Sequence, residues 1–128
     1  MAGLPPDNSS PTIQIELYGV WGRQDPPIFF NAIVDTGFTG GVSIPIMQAL
    51  PLGLILSSTA NFTLADGSIE SAFLCLGLAK IGDVEKKMVF SLTKGNDILI
   101  GTELLSIFKA RLEIDYKTNT FSLIPQEP

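Results

Sequence analysis

One carboxylate in this chain is followed at once by a hydroxyl and a glycine. Asp35, Thr36 and Gly37 come directly after the apolar run 28–34, and two further glycines follow at positions 40–41. A continuous apolar run of this kind predicts a strand that is buried on both faces. A carboxylate at the end of such a strand is costly to ionise unless it is paired or hydrogen-bonded. The stretch therefore predicts a chemical site, although the same residue types also form ordinary turns without any function.

The residue types that the chain lacks narrow the possible chemistry. There is no histidine, which excludes hydrolases with a histidine base and most zinc enzymes. The single cysteine, Cys75, stands between two leucines, so we expect a buried structural thiol. Acids, hydroxyls and backbone groups remain for catalysis, and we expect neither a metal nor a cofactor.

Composition and charge indicate one acidic globular domain. The chain has 128 residues, 45% of them hydrophobic and 16% charged, with a formal net charge of −5. An acidic balance argues against a nucleic acid partner and against an anionic membrane surface. No apolar stretch is long enough to span a bilayer, and the N-terminus lacks the features of a signal peptide. We therefore expect a cytoplasmic protein, which also fits a lone cysteine.

Hydrophobic patterning predicts a mainly β chain with one or two short helices. We expect a flexible N-terminal tail over 1–11, a single domain over 12–124 and a C-terminal tail over 125–128. An Asp-Gly pair between two β-type segments predicts a hairpin. The predicted strands are 12–18, 28–34, 42–44, 61–64, 68–73, 74–81, 87–92, 95–101, 111–116 and 121–124, and the predicted short helices are 45–50 and 102–109.

Three of these motifs together resemble a known family. Val34-Asp35-Thr36-Gly37, the Asp66-Gly67 hairpin and Leu99-Ile100-Gly101 look like the retropepsin-type aspartic proteases, the single-domain relatives of retroviral proteases. Phe38-Thr39-Gly40 is similar to bacterial members, and the resemblance covers about residues 12–124. It implies an all-β, closed barrel-like acid protease fold of one lobe that is completed as a C2 homodimer.

The resemblance also implies an aspartic endopeptidase that acts on peptides or proteins. Two carboxylates that share one proton can hydrolyse an amide, one as base toward water and the other as acid toward the carbonyl oxygen. This chain has one Asp-Thr-Gly, so the second acid must be Asp35 of another copy.

The resemblance assigns roles to residues around the acid. Asp35 carries the catalysis, Thr36 bonds across the dimer, Gly37 offers backbone groups to the peptide, and the hairpin is a flap that closes over it. The extended substrate lies as an added strand between flap and catalytic loop. The implied substrate-binding residues are Phe38, Thr39, Ala65, Asp66, Gly67, Asp97 and Leu99.

The chain departs from the family at three points, and two other functions remain as alternatives. Phe38 stands where the family usually has a small residue, and Thr102 stands where retroviral members carry an arginine that braces the loop. The hairpin with Asp66-Gly67 lacks a glycine-rich tip, which implies a shorter or stiffer flap. A catalytically silent module that binds peptide or dimerises is one alternative. The other is a phosphate-binding loop, because the spacing of Asp35, Gly37 and Thr39-Gly40 also resembles actin-like and sugar-kinase ATPases; those folds need longer chains.

Overall fold

Ten strands and two short helices follow one another in the part of the chain that the structure describes. The computed structural model describes residues 2–3, 11–63 and 66–126. The elements are β1 (Ala2–Gly3), β2 (Thr12–Tyr18), β3 (Phe29–Val34), β4 (Val42–Pro45), α1 (Ile46–Ala49), a 3-10 turn (Leu50–Leu52), β5 (Ile55–Thr63), β6 (Ile69–Ile81), β7 (Val84–Thr93), β8 (Ile98–Ile100), α2 (Thr102–Ile107), β9 (Arg111–Asp115) and β10 (Thr120–Ile124).

Six of the strands close into a barrel. The order in the larger sheet is β2-β3-β8-β4-β7-β6-β5, and β6 also pairs with β2, so that β5 alone lies outside the ring. β3 and β8 run parallel, with Val34 opposite Ile100, and β4 and β7 are parallel as well. Closure pairs both edges of every barrel strand and removes the free edges of an open sheet. The predicted all-β, barrel-like fold is confirmed.

Alternate side chains along these strands fill the barrel. A strand points successive side chains to opposite faces, so every second residue reaches the interior. Cys75 is one of them, which confirms the predicted buried thiol. The buried barrel residues include Ile13, Ile15, Leu17, Ala32, Val34, Val42, Ile44, Met88, Phe90, Ile98 and Ile100, joined in one cluster by Leu104 and Phe108 from around α2.

A second, smaller sheet completes the fold, in the order β1-β10-β9. Ala2 pairs with Phe121, so two residues of the segment predicted as an N-terminal tail form a short strand. Phe121 and Leu123 are buried in the same cluster as the barrel residues. This sheet is therefore packed on the same core.

An ion pair with a buried carboxylate holds the loop between β2 and β3. Glu16 of β2 is buried, and Arg23 from the loop donates two hydrogen bonds to it, from Nε at 2.7 Å and from a terminal nitrogen at 2.8 Å. Two residues on, the buried Tyr18 donates its hydroxyl to the carboxylate of Glu85. The pKa of Tyr18 lies well above its ordinary value. The main cause is burial of the phenol, and the second is this hydrogen bond to Glu85.

Two local predictions differ from the structure. β5 begins at residue 55 and not at 61, because its first half pairs with β6. Phe29, in the first half of β3, is 59% exposed, so burial on both faces is wrong for that half. Within the described part of the chain, no helix is long and apolar enough to cross a membrane.

Candidate active site

Asp35 lies where the parallel strands β3 and β8 end side by side. Its backbone N–H donates to the carbonyl of Ile100 at 2.9 Å, which extends the β3–β8 ladder by one residue. Its side-chain Oδ1 then accepts the N–H of Gly37 at 2.9 Å. The acid is half-buried, while Thr36 and Gly37 are exposed. The carboxylate is therefore oriented by the backbone and reachable from solvent.

The loop that carries the acid is fastened to the start of α2. Thr102 N–H donates to the carbonyl of Phe38 at 2.9 Å, Glu103 N–H to Gly40 at 3.2 Å, and Gly101 N–H to Gly41 at 2.9 Å. The first N–H groups of a helix have no partner inside the helix, so these loop carbonyls satisfy them. Backbone bonds thus brace the loop in this chain, where Thr102 replaces the arginine of the retroviral pattern.

The phenyl ring of Phe38 fills the space between two glycines of this assembly. A Cβ placed on Gly40 would lie 2.6 Å from Cζ of the ring, and one placed on Gly101 would lie 2.7 Å from its Cδ2. Real Cβ atoms do not approach other heavy atoms so closely. The large residue beside the acid is accommodated because both neighbours lack a side chain.

A cavity of about 470 Å³ opens beside Phe38. Its walls come from β6, β7, α1 and the loop of Asp35. Residues 69, 71 and 73 of β6 share a face with Cys75, whose side chain is buried in the barrel, so the first half of β6 extends the inner face past the barrel end. The lining residues are Phe38, Ser43, Ile46, Ile69, Glu70, Ser71, Ala72, Phe73, Ser91, Leu92, Thr93 and Lys94.

A second cavity of about 490 Å³ adjoins the first, with Ile46, Thr93 and Lys94 lining both. It lies between α1 and the loop from β7 to β8. The two together form a groove that passes the N-terminus of α1. Cavities of this size are typical of ligand-binding clefts.

The β5–β6 hairpin carries the predicted flap turn. Gly67 has φ = +86°, which suits glycine, and the hairpin itself is confirmed. Asp66 Oδ1 accepts the N–H of Ser68 at 2.9 Å and its hydroxyl at 2.6 Å. Both hydrogen bonds lower the pKa of Asp66, and the bond from the Ser68 hydroxyl has the larger effect. Ala65 lies outside the described residues.

The predicted substrate-binding residues do not all meet in one place. Phe38 lines the first cavity, whereas Thr39 and Asp97 are exposed, Leu99 is half-buried, and none of these three lines either cavity. Sequence reasoning missed the cavity walls on β4, α1, β6 and β7. The one signal for them was the alternation of residues 69, 71 and 73 on the strand that follows the turn. Among the described residues, no group of three or more acids, cysteines or histidines could hold a metal ion.

Sequence comparison and structure comparison differ in what they find. No protein-family model and no curated protein matches the sequence. A retropepsin-like aspartic protease from Rickettsia conorii has a similar structure, with a TM-score of 0.66, 20% sequence identity and coverage of 96% of this chain and 88% of that one. The EIAV protease, solved in complex with the inhibitor HBY-793, gives a TM-score of 0.60, 15% identity and coverage of 86% and 98%.

A third solved structure, also of a viral protease, agrees with them. The solution structure of the simian foamy virus protease gives a TM-score of 0.54 at 13% identity, over 74% of this chain and 91% of that one. At such identities the likeness establishes the fold and not the activity. The architecture, the order of its strands and these likenesses together show that the chain has the retropepsin-like fold.

Proposed function

We propose that the chain is an aspartic endopeptidase of the retropepsin type, in which Asp35 from each of two copies acts on one water molecule. The observation that carries the proposal is the setting of Asp35: a half-buried carboxylate at the ends of β3 and β8, oriented by Gly37 N–H at 2.9 Å. An acid in this setting, on a fold shared with aspartic proteases, supports peptide hydrolysis.

The proposed reaction needs two acids in different protonation states. The ionised carboxylate takes a proton from water as the water oxygen attacks the carbonyl carbon, while the protonated partner gives its proton to the carbonyl oxygen. As the C–N bond of the tetrahedral intermediate breaks, the carboxyl that took the proton from water gives it to the leaving nitrogen, and the other carboxylate takes back a proton from a hydroxyl of the intermediate. Two carboxylates about 3 Å apart cannot both ionise, which keeps one acid and one base available near the same pH.

A homodimer is part of the proposal because one copy supplies one such acid. Thr36 and Gly37 are exposed beside Asp35, so this edge of the fold is open to a second copy. Thr36 would bond across the two-fold axis, and the β5–β6 hairpin would close over the peptide and exclude water. A cytoplasmic location is also proposed, since a single buried thiol fits a reducing compartment.

Cleavage of an unstructured protein at acidic and at neutral pH tests the activity. Asp35→Asn keeps an oxygen that can accept the Gly37 N–H, so the loop should stay folded while turnover falls by at least about 100-fold. Asp83→Asn, in the exposed turn between β6 and β7, is the matched control and should cleave like the parent. Equal turnover by Asp35→Asn would show that the chain is not an aspartic protease.

Mixing and mass measurements test the shared dyad. Solution mass against concentration should show a dimer in the range where cleavage occurs. Adding excess Asp35→Asn chain to the parent should lower activity, because mixed dimers hold one acid only. A monomer that cleaves at full rate would contradict the dyad. A catalytically silent module is the alternative: it would bind peptide or dimerise without cleavage in any of these assays.

A further inference from the structure

Large apolar side chains on the inner face of β6 are left uncovered. Ile69 is 69% exposed and Phe73 is 49% exposed, although both lie on the face that continues the barrel interior. Phe73 is paired with Leu92 of β7, and both line the first cavity, beside Phe38. Apolar surface gathered inside a concavity is typical of a binding site, whereas isolated exposed residues are not.

The part of the wall that comes from the Asp35 loop presents a fixed aromatic ring, that of Phe38. Phe38 is held against Gly40 and Gly101, whose missing side chains leave it that space. The backbone N–H of Phe38 donates to the backbone carbonyl of Asp35 at 3.1 Å, and the backbone carbonyl of Phe38 accepts from the N–H of Thr102 at 2.9 Å. The ring is therefore a preorganised surface, and the cavity has a phenylalanine on each of two walls.

The polar groups of the cavity favour no charge. Glu70 and Lys94 are opposite in sign and both exposed. Ser43, which is buried, and Ser91, its partner in the β4–β7 register, add only hydroxyls. A charged side chain entering here would lose hydration without a buried ion of opposite sign to compensate. An uncharged side chain with a large apolar body suits this lining best.

We propose that this cavity binds an aromatic side chain of the peptide, and that Phe38 and Phe73 are the residues that select it. Aromatic pairs attract beyond the effect of buried area alone, which separates a ring from a branched aliphatic side chain of similar polarity. The groove continues into the second cavity, so the peptide has room on one side of the selected residue. This inference rests on the proposed action on peptides and specifies their sequence.

Binding of guest peptides to the full chain tests the preference. The probe is a short fluorescein-labelled host peptide of serine, threonine and alanine, with Phe, Tyr, Leu, Val, Ala or Glu at one guest position. The Asp35→Asn variant is used for these measurements, so that the peptide is not cleaved while its fluorescence anisotropy is recorded. We expect Phe and Tyr guests to bind at least about tenfold more tightly than Val, Ala and Glu guests, the size of effect that one or two apolar groups produce in a pocket.

Matched substitutions then locate the preference. Phe73→Ala should reduce the advantage of Phe over Ala guests by about tenfold, whereas Phe29→Ala, which removes a similarly exposed ring from β3 outside the cavity, should leave it unchanged. Phe38→Ala should also reduce it, and a thermal melt of each variant checks that the chain is folded. A flat guest series, or equal effects of Phe73→Ala and Phe29→Ala, would overturn the inference.

The result separates this inference from the proposed hydrolysis. Cleavage of peptides by the parent chain without any aromatic preference would retain the protease and remove the aromatic pocket. Aromatic-selective binding without cleavage would retain the pocket and favour the silent peptide-binding module. The preferred guest, when placed in a cleavable host, should raise kcat/KM for the parent chain by the same factor by which it tightens binding.

Discussion

Gly101 lies directly against the backbone and ring of Phe38. A Cβ on Gly101 would come within 2.5 Å of the Phe38 carbonyl oxygen, 2.7 Å of its ring and 2.2 Å of the Gly40 carbonyl oxygen. The end of β8 therefore touches the loop of Asp35 with no room for a side chain. This contact joins the two glycine-ended strands that the sequence places far apart.

Replacement of Gly101 by alanine should displace that loop. Because two of the three close atoms are backbone oxygens, side-chain rotation cannot relieve the clash, and we expect a loss of about 3 kcal/mol in unfolding free energy. Gly95→Ala is the control, since its Cβ would meet nothing closer than Thr93 Oγ1 at 3.7 Å; its effect should stay within about 0.5 kcal/mol. Urea denaturation measures both, and equal midpoints would contradict the close packing.

Gly40 offers the complementary test, because its close neighbours are side-chain atoms alone. A Cβ there would lie 2.6 Å and 2.8 Å from two ring carbons of Phe38. Gly40→Ala should cost about 1–3 kcal/mol in the parent and much less in a Phe38→Ala background, with a coupling energy of about 1 kcal/mol or more. Gly101→Ala should stay destabilising in that background, since its backbone clashes remain. Additive effects at Gly40 would show that the ring does not occupy this space.

The sequence predicted most of the barrel because its signals are local. β2 has the predicted bounds and β8 lies within the predicted stretch 95–101, since alternation in 12–18 and the apolar run before Gly101 need no distant partner to be recognised. The first half of β5 was not predicted as a strand, because residues 57–59 are polar and the segment is largely exposed. Its strand conformation comes from pairing with β6, so tertiary contact overrides local preference there.

The site was predicted in part for the same reason. The placement of Asp35 at a strand end, and of Phe38 beside it, follows from adjacent residues. Ile69 and Phe73 reach the cavity only because β6 runs past the barrel end and turns its inner face toward Phe38, more than thirty positions earlier in the chain. Such proximity is decided by topology and register, which composition and periodicity do not specify.

Loss of Arg23 should destabilise the fold through the carboxylate that it leaves behind. Glu16 is buried and both of its oxygens accept from Arg23, so Arg23→Ala leaves a buried charge without its partner. We expect a clear drop in the urea midpoint, which comes from the buried carboxylate because Arg23 itself is partly exposed. Arg23→Lys should recover little of it, since an ammonium does not reproduce the two-pronged contact.

Arg111 provides the control for this prediction. Its Nε lies 3.0 Å from Glu113, but both side chains are more than half exposed. Exposed pairs contribute about 0–1 kcal/mol, so Arg111→Ala should be nearly silent in the same thermal or urea melt. Comparable losses from Arg23→Ala and Arg111→Ala would show that burial of Glu16 does not determine the effect.

Tyr18 should make the fold sensitive to alkali. Burial raises the pKa of its phenol, and the bond to Glu85 raises it further, so the folded chain keeps the proton after the unfolded chain has lost it. Below about pH 10, the ordinary tyrosine pKa, both states are protonated and this group adds no pH dependence. Above that pH only the unfolded state loses the proton, so stability decreases as the pH rises. By about pH 11 the unfolding free energy should have fallen by about 1.4 kcal/mol.

Tyr18→Phe should remove that alkaline loss, because a phenyl ring has no proton to release. At neutral pH the same variant should be less stable by about 1–2 kcal/mol, since the bond to the Glu85 carboxylate is gone. Tyr116→Phe, at an exposed tyrosine, should retain the alkaline loss of the parent. Urea midpoints at neutral pH and at about pH 11 measure all three chains. Each variant loses one tyrosine hydroxyl. If the unfolding free energy falls by the same amount at high pH in Tyr18→Phe and in Tyr116→Phe, the alkaline sensitivity belongs to residues other than Tyr18.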